Sequence, residues 1–219
     1  MPSAGIARIA DHYSLSLQGS SRVAGRLSDV ISLSPKDAYR YGYRLWLDKE
    51  TGLPLRAEIV GAHRQVLEWA AFSDITIGVK AEPQRVLQGM RPRAGWRVKP
   101  SALVDANLAG EGWAVQAVPA GFQLIRVVKR AAALKQVASN GGAEPNGQSM
   151  LQLIFSDGMT YVSLFIEPAK AYSQRQGMLV SMGATQTLMV RRDAWWLTAM
   201  GNVPAIALKE FLASLRRLN

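Results

Sequence analysis

The chain has 219 residues and no cysteine, so disulfides and thiolate metal sites are excluded and the redox compartment stays unread. Histidine is nearly as scarce. His12 and His63 are the only two, and neither has a His or Cys neighbour at ligand spacing, so no zinc or haem site is expected. No stretch approaches the ~18 consecutive apolar residues of a membrane span. The opening Met-Pro-Ser-Ala-Gly lacks a basic segment followed by an apolar one, so no secretory signal is visible. Either the protein is cytoplasmic or its natural start lies upstream. Also missing are the Gly-x-Ser-x-Gly elbow, the phosphate-binding loop and the dinucleotide glycine pattern. Asp48 and Glu50 flank what reads as an exposed turn, and Glu167 precedes Pro168 at a strand end. Neither setting offers the burial that raises a general acid's pKa. With no nucleophile, base or ligand set in view, the expectation is a protein that is not an enzyme and carries no cofactor or metal.

Acidic residues are also few. Against 26 Lys and Arg stand 16 Asp and Glu, a net charge of +10. Residues 1–90 hold 11 basic and 9 acidic side chains, and residues 91–219 hold 15 and 7. The second half therefore carries nearly all of the excess, which points to an anionic partner there.

What is present is a succession of strands. In Tyr43–Asp48 the apolar Tyr43, Leu45 and Leu47 alternate with Arg44, Trp46 and Asp48, the period of a half-buried strand. Lys49 to Gly52 break the pattern, with Gly52 suited to positive φ, and Leu53, Leu55, Ala57 and Ile59 restore it. Residues 13–77 thus read as an antiparallel meander with strands at 13–19, 26–34, 38–48, 53–60 and 66–78. No helical segment of useful length lies there to cover it, so the sheet looks incomplete. Residues 80–100, with three prolines and a concentration of Arg and Lys, mark a boundary. Beyond it come "WAVQAV", "FQLIRVVKRA", a polar loop at 139–149, and a hairpin turning through Ser156, Asp157 and Gly158. A further pair of strands turns around Asp193 and Ala194. The closing "VPAIALKEFLASLRRLN" places Leu208, Phe211, Leu212 and Leu215 at helical spacing. Pro204 stands at its start, and the terminal arginines are placed to complement a helix dipole.

Cations and aromatics recur through the second half. The basic residues are Arg91, Arg93, Arg97 and Lys99, then Arg126, Lys129 and Arg130, then Arg191 and Arg192. Trp96, Tyr172, Trp195 and Trp196 are interleaved. A nucleic-acid surface uses these residue types. So does a site for lipid phosphate or an acidic peptide, and a plain solvated face with one tryptophan turned to the core has the same composition. Strand alternation sets Arg126 and Arg130 on one face and Lys129 on the other, and allows one of Arg191 and Arg192 to join them.

The ordered segments "RVAGR" (22–26), "YGYRLWLDKETGLPLR" (41–56), "GWRV" (95–98), "VPAGF" (118–122), "FSDGMTYVSLFIEP" (155–168), "GMLVSMGAT" (177–185) and "GNVPA" (201–205) resemble the MucB/RseB family of periplasmic regulators of the envelope-stress sigma factor. The resemblance implies an α+β fold, mainly antiparallel β. Residues 1–80 would be the later part of a half-barrel like that of the LolA lipoprotein carriers. Residues 81–95 would form a linker, and 96–219 a small antiparallel-sheet domain with helices. Family members carry a signal sequence and roughly half of the LolA-like domain before the segment matching "RVAGR", which fits the bare sheet. The implied function is non-enzymatic: binding the periplasmic part of a transmembrane anti-sigma factor and shielding it from proteolysis, with lipid or lipopolysaccharide as the releasing signal. A lipid or lipoprotein carrier of LolA type is the alternative. The expected location is the periplasm, nucleic acid is not expected as a partner, and an unpaired sheet edge would favour self-association. Arg126, Arg130, Arg191, Arg192, Trp195 and Trp196 are the expected partner-binding residues.

Overall fold

The computed structural model describes residues 9–80, 82–89, 95, 103–131, 149–169 and 177–218. Arg91, Arg93, Trp96, Arg97, Lys99 and Tyr172 lie outside these, as does nearly all of the expected polar loop.

The first half is a five-stranded antiparallel meander in sequence order. Its strands are β1 (Tyr13–Val23), β2 (Arg26–Pro35), β3 (Gly42–Asp48), β4 (Pro54–Val60) and β5 (Val66–Ala71). Two expected boundaries move. The third strand starts at Gly42, because Asp37 accepts the Tyr39 amide and bends residues 36–41 out of the sheet. The fifth ends at Ala71.

Cross-strand partners share a face, and each face has its own chemistry. One carries Ser32, Arg44, Trp46, Arg56, Glu58 and Trp69. There the Arg56 guanidinium lies 4.7 Å from the Trp46 ring and 5.4 Å from Trp69. Glu58 accepts from Arg44 at 2.9 Å and from Arg56 at 2.5 Å. This polar face carries its own cation–π stack, which buries Trp46 and leaves Trp69 exposed. The other face is apolar and only partly closed. Tyr13, Leu33 and Tyr43 form a small buried cluster, while Leu15 and Leu17 on the same strand remain 53% and 69% exposed.

The β3–β4 turn has Gly52 at φ +70°, as its sequence requires. Asp48 corrects the expectation of an exposed carboxylate. It is buried, bonded to Arg26 at 2.8 and 3.0 Å and to the Thr51 hydroxyl at 2.7 Å. Glu50, beside it, is exposed and reaches the same Arg26.

Within the segment expected as a linker, Pro83–Gln88 form a short helix. The second half is a seven-stranded antiparallel sheet in the order β11–β12–β13–β10–β9–β8–β6. These strands are β6 (Leu103–Asp105), β8 (Gln123–Ala131), β9 (Ser149–Ser156), β10 (Tyr161–Pro168), β11 (Met178–Met182), β12 (Thr185–Arg192) and β13 (Trp195–Gly201). The helix Ala205–Ser214 buries Ala207, Leu208, Phe211 and Leu212 against one face, among Leu153, Phe155, Leu164, Ile166 and Leu197.

That helix is shorter than the sequence pattern suggests. Leu215 is extended, and Arg216 and Arg217 belong to β14 (Leu215–Arg217), which pairs with β7 (Trp113–Val115). The last-turn carbonyls are instead satisfied from outside. Gln116 donates its amide to Ser214, and the Arg192 guanidinium donates to Leu212 and Leu215. External donors of this kind end a helix without a glycine cap.

Candidate partner interface

The sheet register assigns every expected site residue to a face. Following pairs across the strands, Arg126 stands opposite Ile154, Ile154 opposite Ser163, and Ser163 opposite Met200. Arg126, Arg130, Trp196 and Arg191 therefore lie on the face away from the helix. Lys129, Trp195 and Arg192 lie on the helix side.

The same register keeps the first four from forming one cluster. Between β8 and β12 stand β9, β10 and β13, so Arg126 and Arg130 are separated from Arg191 by four strand spacings, about 19 Å.

Their local settings differ as well. Arg126 is about half exposed and paired with exposed Asp105 at 2.8 Å. Arg130 reaches Gln152 at 3.3 Å, and Arg191 is exposed and donates to the Asp193 carbonyl at 3.2 Å. Arg192 is committed to the helix end. Trp196 is buried, and its indole N–H has no partner among the described residues. Trp195 packs edge-on against Trp113 at 5.4 Å, with the Arg217 guanidinium 5.1 Å from its ring. Lys129 pairs with Glu111 at 2.7 Å on the helix side, beside a cleft of about 120 Å³ lined by Trp113, Leu151, Ile166 and Trp195. Arg126 and Arg191 are thus exposed to an outside partner, and Arg130 is partly so.

A second constellation escaped the sequence reading. Where the two sheets meet, Arg40, from the β2–β3 loop, is completely buried. It donates from Nε to Asp157 Oδ2 at 2.7 Å, from Nη2 to the Ala120 carbonyl at 2.5 Å, and from Nη1 to Asp37. Its guanidinium lies 4.6 Å from the Phe122 ring. Asp157 also accepts from the Tyr13 hydroxyl at 3.4 Å, and its other oxygen takes the amides of Met159 and Thr160 at 2.9 Å each.

Burial and the Asp157 charge push the Tyr13 phenol well above its usual range. Burial raises neighbouring Tyr43 to about 12. Gly121, at φ +85°, lets the chain pass where a Cβ would collide with His12 and Arg40. In the sequence Asp157 looks like a turn residue and Arg40 like a strand residue. Only the 117-residue separation closed by the fold reveals them as a pair. Among the described residues, no group of His, Asp and Glu could hold a metal ion.

Sequence profiles for the MucB/RseB N-terminal domain match residues 1–90, and those for the C-terminal domain match residues 107–216. The sigma factor AlgU regulatory protein MucB of Pseudomonas aeruginosa is 28% identical over 212 residues, covering 95% of this chain and 62% of that protein. The sigma-E factor regulatory protein RseB of Escherichia coli K12 is 26% identical, with coverages of 95% and 61%. The chain thus spans about three fifths of the length of these relatives. Among solved structures, MucB in complex with MucA(peri) aligns with all of this chain and 72% of its own, at a TM-score of 0.73 and 27% identity. Sequence profiles over both halves and the antiparallel architecture agree: the chain belongs to the MucB/RseB family.

Proposed function

We propose that this protein is a non-enzymatic regulator that binds the periplasmic part of a transmembrane anti-sigma factor and shields it from stress-triggered proteolysis. The observation that carries the reading is the alignment of its whole length with MucB in a structure containing MucA(peri). The absence of a nucleophile–base pair in the sequence, the exposed Arg126 and Arg191 and the partly exposed Arg130 are consistent with binding rather than turnover. In this reading the protein acts in the periplasm, and lipid or lipopolysaccharide is the releasing signal.

The open apolar face around Leu15 and Leu17 favours a second reading, a lipid or lipoprotein carrier. A simple carrier gives no role to the second sheet, so the regulatory reading ranks first.

The test titrates the folded protein with the purified periplasmic segment of the anti-sigma factor, then follows cleavage of that segment by its protease. Binding together with slower cleavage is expected. Binding of lipid alone, with no effect on cleavage, would move the assignment to the carrier.

A further inference from the structure

We infer that the junction between the two sheets is a conformational lock that closes in one register, with Arg40 and Asp157 as its bolt. The groups come from separate segments: Tyr13 from the start of β1, Arg40 from the β2–β3 loop, Ala120 and Phe122 from the approach to β8, and Asp157 from the β9–β10 turn. Arg40 and Asp157 have wholly buried side chains. Each depends on the other sheet for a partner, so separating the sheets leaves both charges short of one.

Apolar side chains cross the same seam in opposite directions. Tyr39 packs against the large core of the second sheet, and Met159 packs against the small cluster of Tyr13, Leu33 and Tyr43. Farther along, Tyr41 meets Gln186, and Gly183 approaches the Glu68 carboxylate. At Gly121 the backbone lies directly against the His12 ring and the Arg40 guanidinium, where an added Cβ would displace both side-chain tips.

A buried ion pair adds little net stability over an apolar pair of similar volume, but removing one member is costly. Its effect is therefore selective. A docking displaced by one residue would bury unpaired charge, whereas purely apolar contacts would tolerate the shift. The two sheets consequently behave as docked or undocked, with few intermediate arrangements. The junction, rather than the connecting segment, sets their relative orientation.

The lack of cysteine makes the test direct. Spin labels are attached at Ser14→Cys and Lys209→Cys, both exposed positions, one on each half. The inter-label distance distribution is then measured by pulsed electron resonance. The parent should give one narrow distribution. Arg40→Met and Asp157→Asn, which keeps an acceptor for the turn amides, should each broaden it at least twofold. Combined, they should recover at least half of the lost sharpness, because no fully buried charge remains unmatched; Asp37, which also loses Arg40, keeps contact with solvent. Unchanged widths in both single variants would overturn the lock, as would a double variant broader than either.

Should either charge variant fail to fold, Gly121→Ala keeps both charges and wedges the seam by pressing on the Arg40 guanidinium and the His12 ring. It must broaden the distribution while amide exchange in β9 and β10 stays within twofold of the parent. An unchanged distribution in this variant would equally overturn the inference.

Discussion

Arg191 and Arg192 are sequence neighbours with opposite fates, because strand alternation points one to solvent and the other at the end of the closing helix. The Arg192 guanidinium donates to the Leu212 and Leu215 carbonyls at 2.9 and 2.8 Å. Hydrogen bonds from a charged donor contribute about 1.5–3 kcal/mol each, and the partial exposure of Arg192 places it toward the low end. Arg192→Ala should therefore lower unfolding free energy in urea by about 1–3 kcal/mol. Arg191→Ala should stay within about 0.5 kcal/mol of the parent. Equal losses would mean that Arg192 does not cap the helix.

Asp48 supplies a second prediction at this scale. Hydrogen bonds from Arg26, then from Thr51, hold its carboxyl at about 2. A carboxyl with a folded pKa below its unfolded value of ~3.9 stabilises the fold above that value, and the contribution disappears as pH falls toward 2. Between pH 5 and pH 2 the urea midpoint should fall, and Asp48→Asn should flatten that part of the curve. An unchanged slope in the variant would assign the acid sensitivity to other carboxylates.

Elements differ in how much of their own support they contain. The closing helix buries Leu208 and Phe211 completely, and Phe211 lies 5.2 Å from the Phe122 ring and 5.1 Å from Phe155. Truncating such a side chain leaves a cavity, so Phe211→Ala should cost about 3–5 kcal/mol. Among the described residues the first sheet has a buried cluster of Tyr13, Leu33 and Tyr43, with Val30, Trp46 and Leu55 buried separately, and Leu15, Leu17 and Trp69 stand open. Expressed separately, residues 103–218 should melt cooperatively and residues 9–80 should not. The reverse result would show that the cation–π face of Trp46, Arg56 and Trp69 stabilises the first sheet more than its packing suggests.

The same contrast explains what the sequence could reveal. Strands with strict alternation, such as Tyr43–Asp48, and turns demanding a glycine, such as Gly52 and Gly158, were legible because local chemistry decides them. The end of the helix was not. Leu215 continues the helical spacing, and only Arg192, Gln116 and β7, all distant in sequence, turn it into a strand. The face on which each arginine lies followed from alternation, whereas the distance between the arginines required the strand order. Arg40 and Asp157 carry no local signal, since the burial that makes them matter arises only when the sheets dock.

At the scale of the whole molecule the charge is uneven, and its position on the surface determines its use. Residues 91–219 carry nearly all of the net charge of +10. In the second sheet Arg126 and Arg130 share the face away from the helix, on β8 beside the edge strand β6. An acidic partner approaching that edge meets both cations at once, while Arg191, about 19 Å away across the sheet, adds mainly to the distant field. Exposed charges act more on encounter than on residence, so their signature is an association rate that depends on salt. Reversing Arg126 and Arg130 to Glu should slow association with the anti-sigma periplasmic segment about tenfold at low salt. The difference should shrink at moderate salt, where the Debye length is about 8–10 Å. Arg191→Glu should have a smaller effect. The double reversal also sets a carboxylate against Asp105, so its thermal melt must first be shown to match the parent. A folded double variant that associates at the parent's rate in low salt would remove this edge from the partner's path and leave Arg126 and Arg130 as solvated side chains.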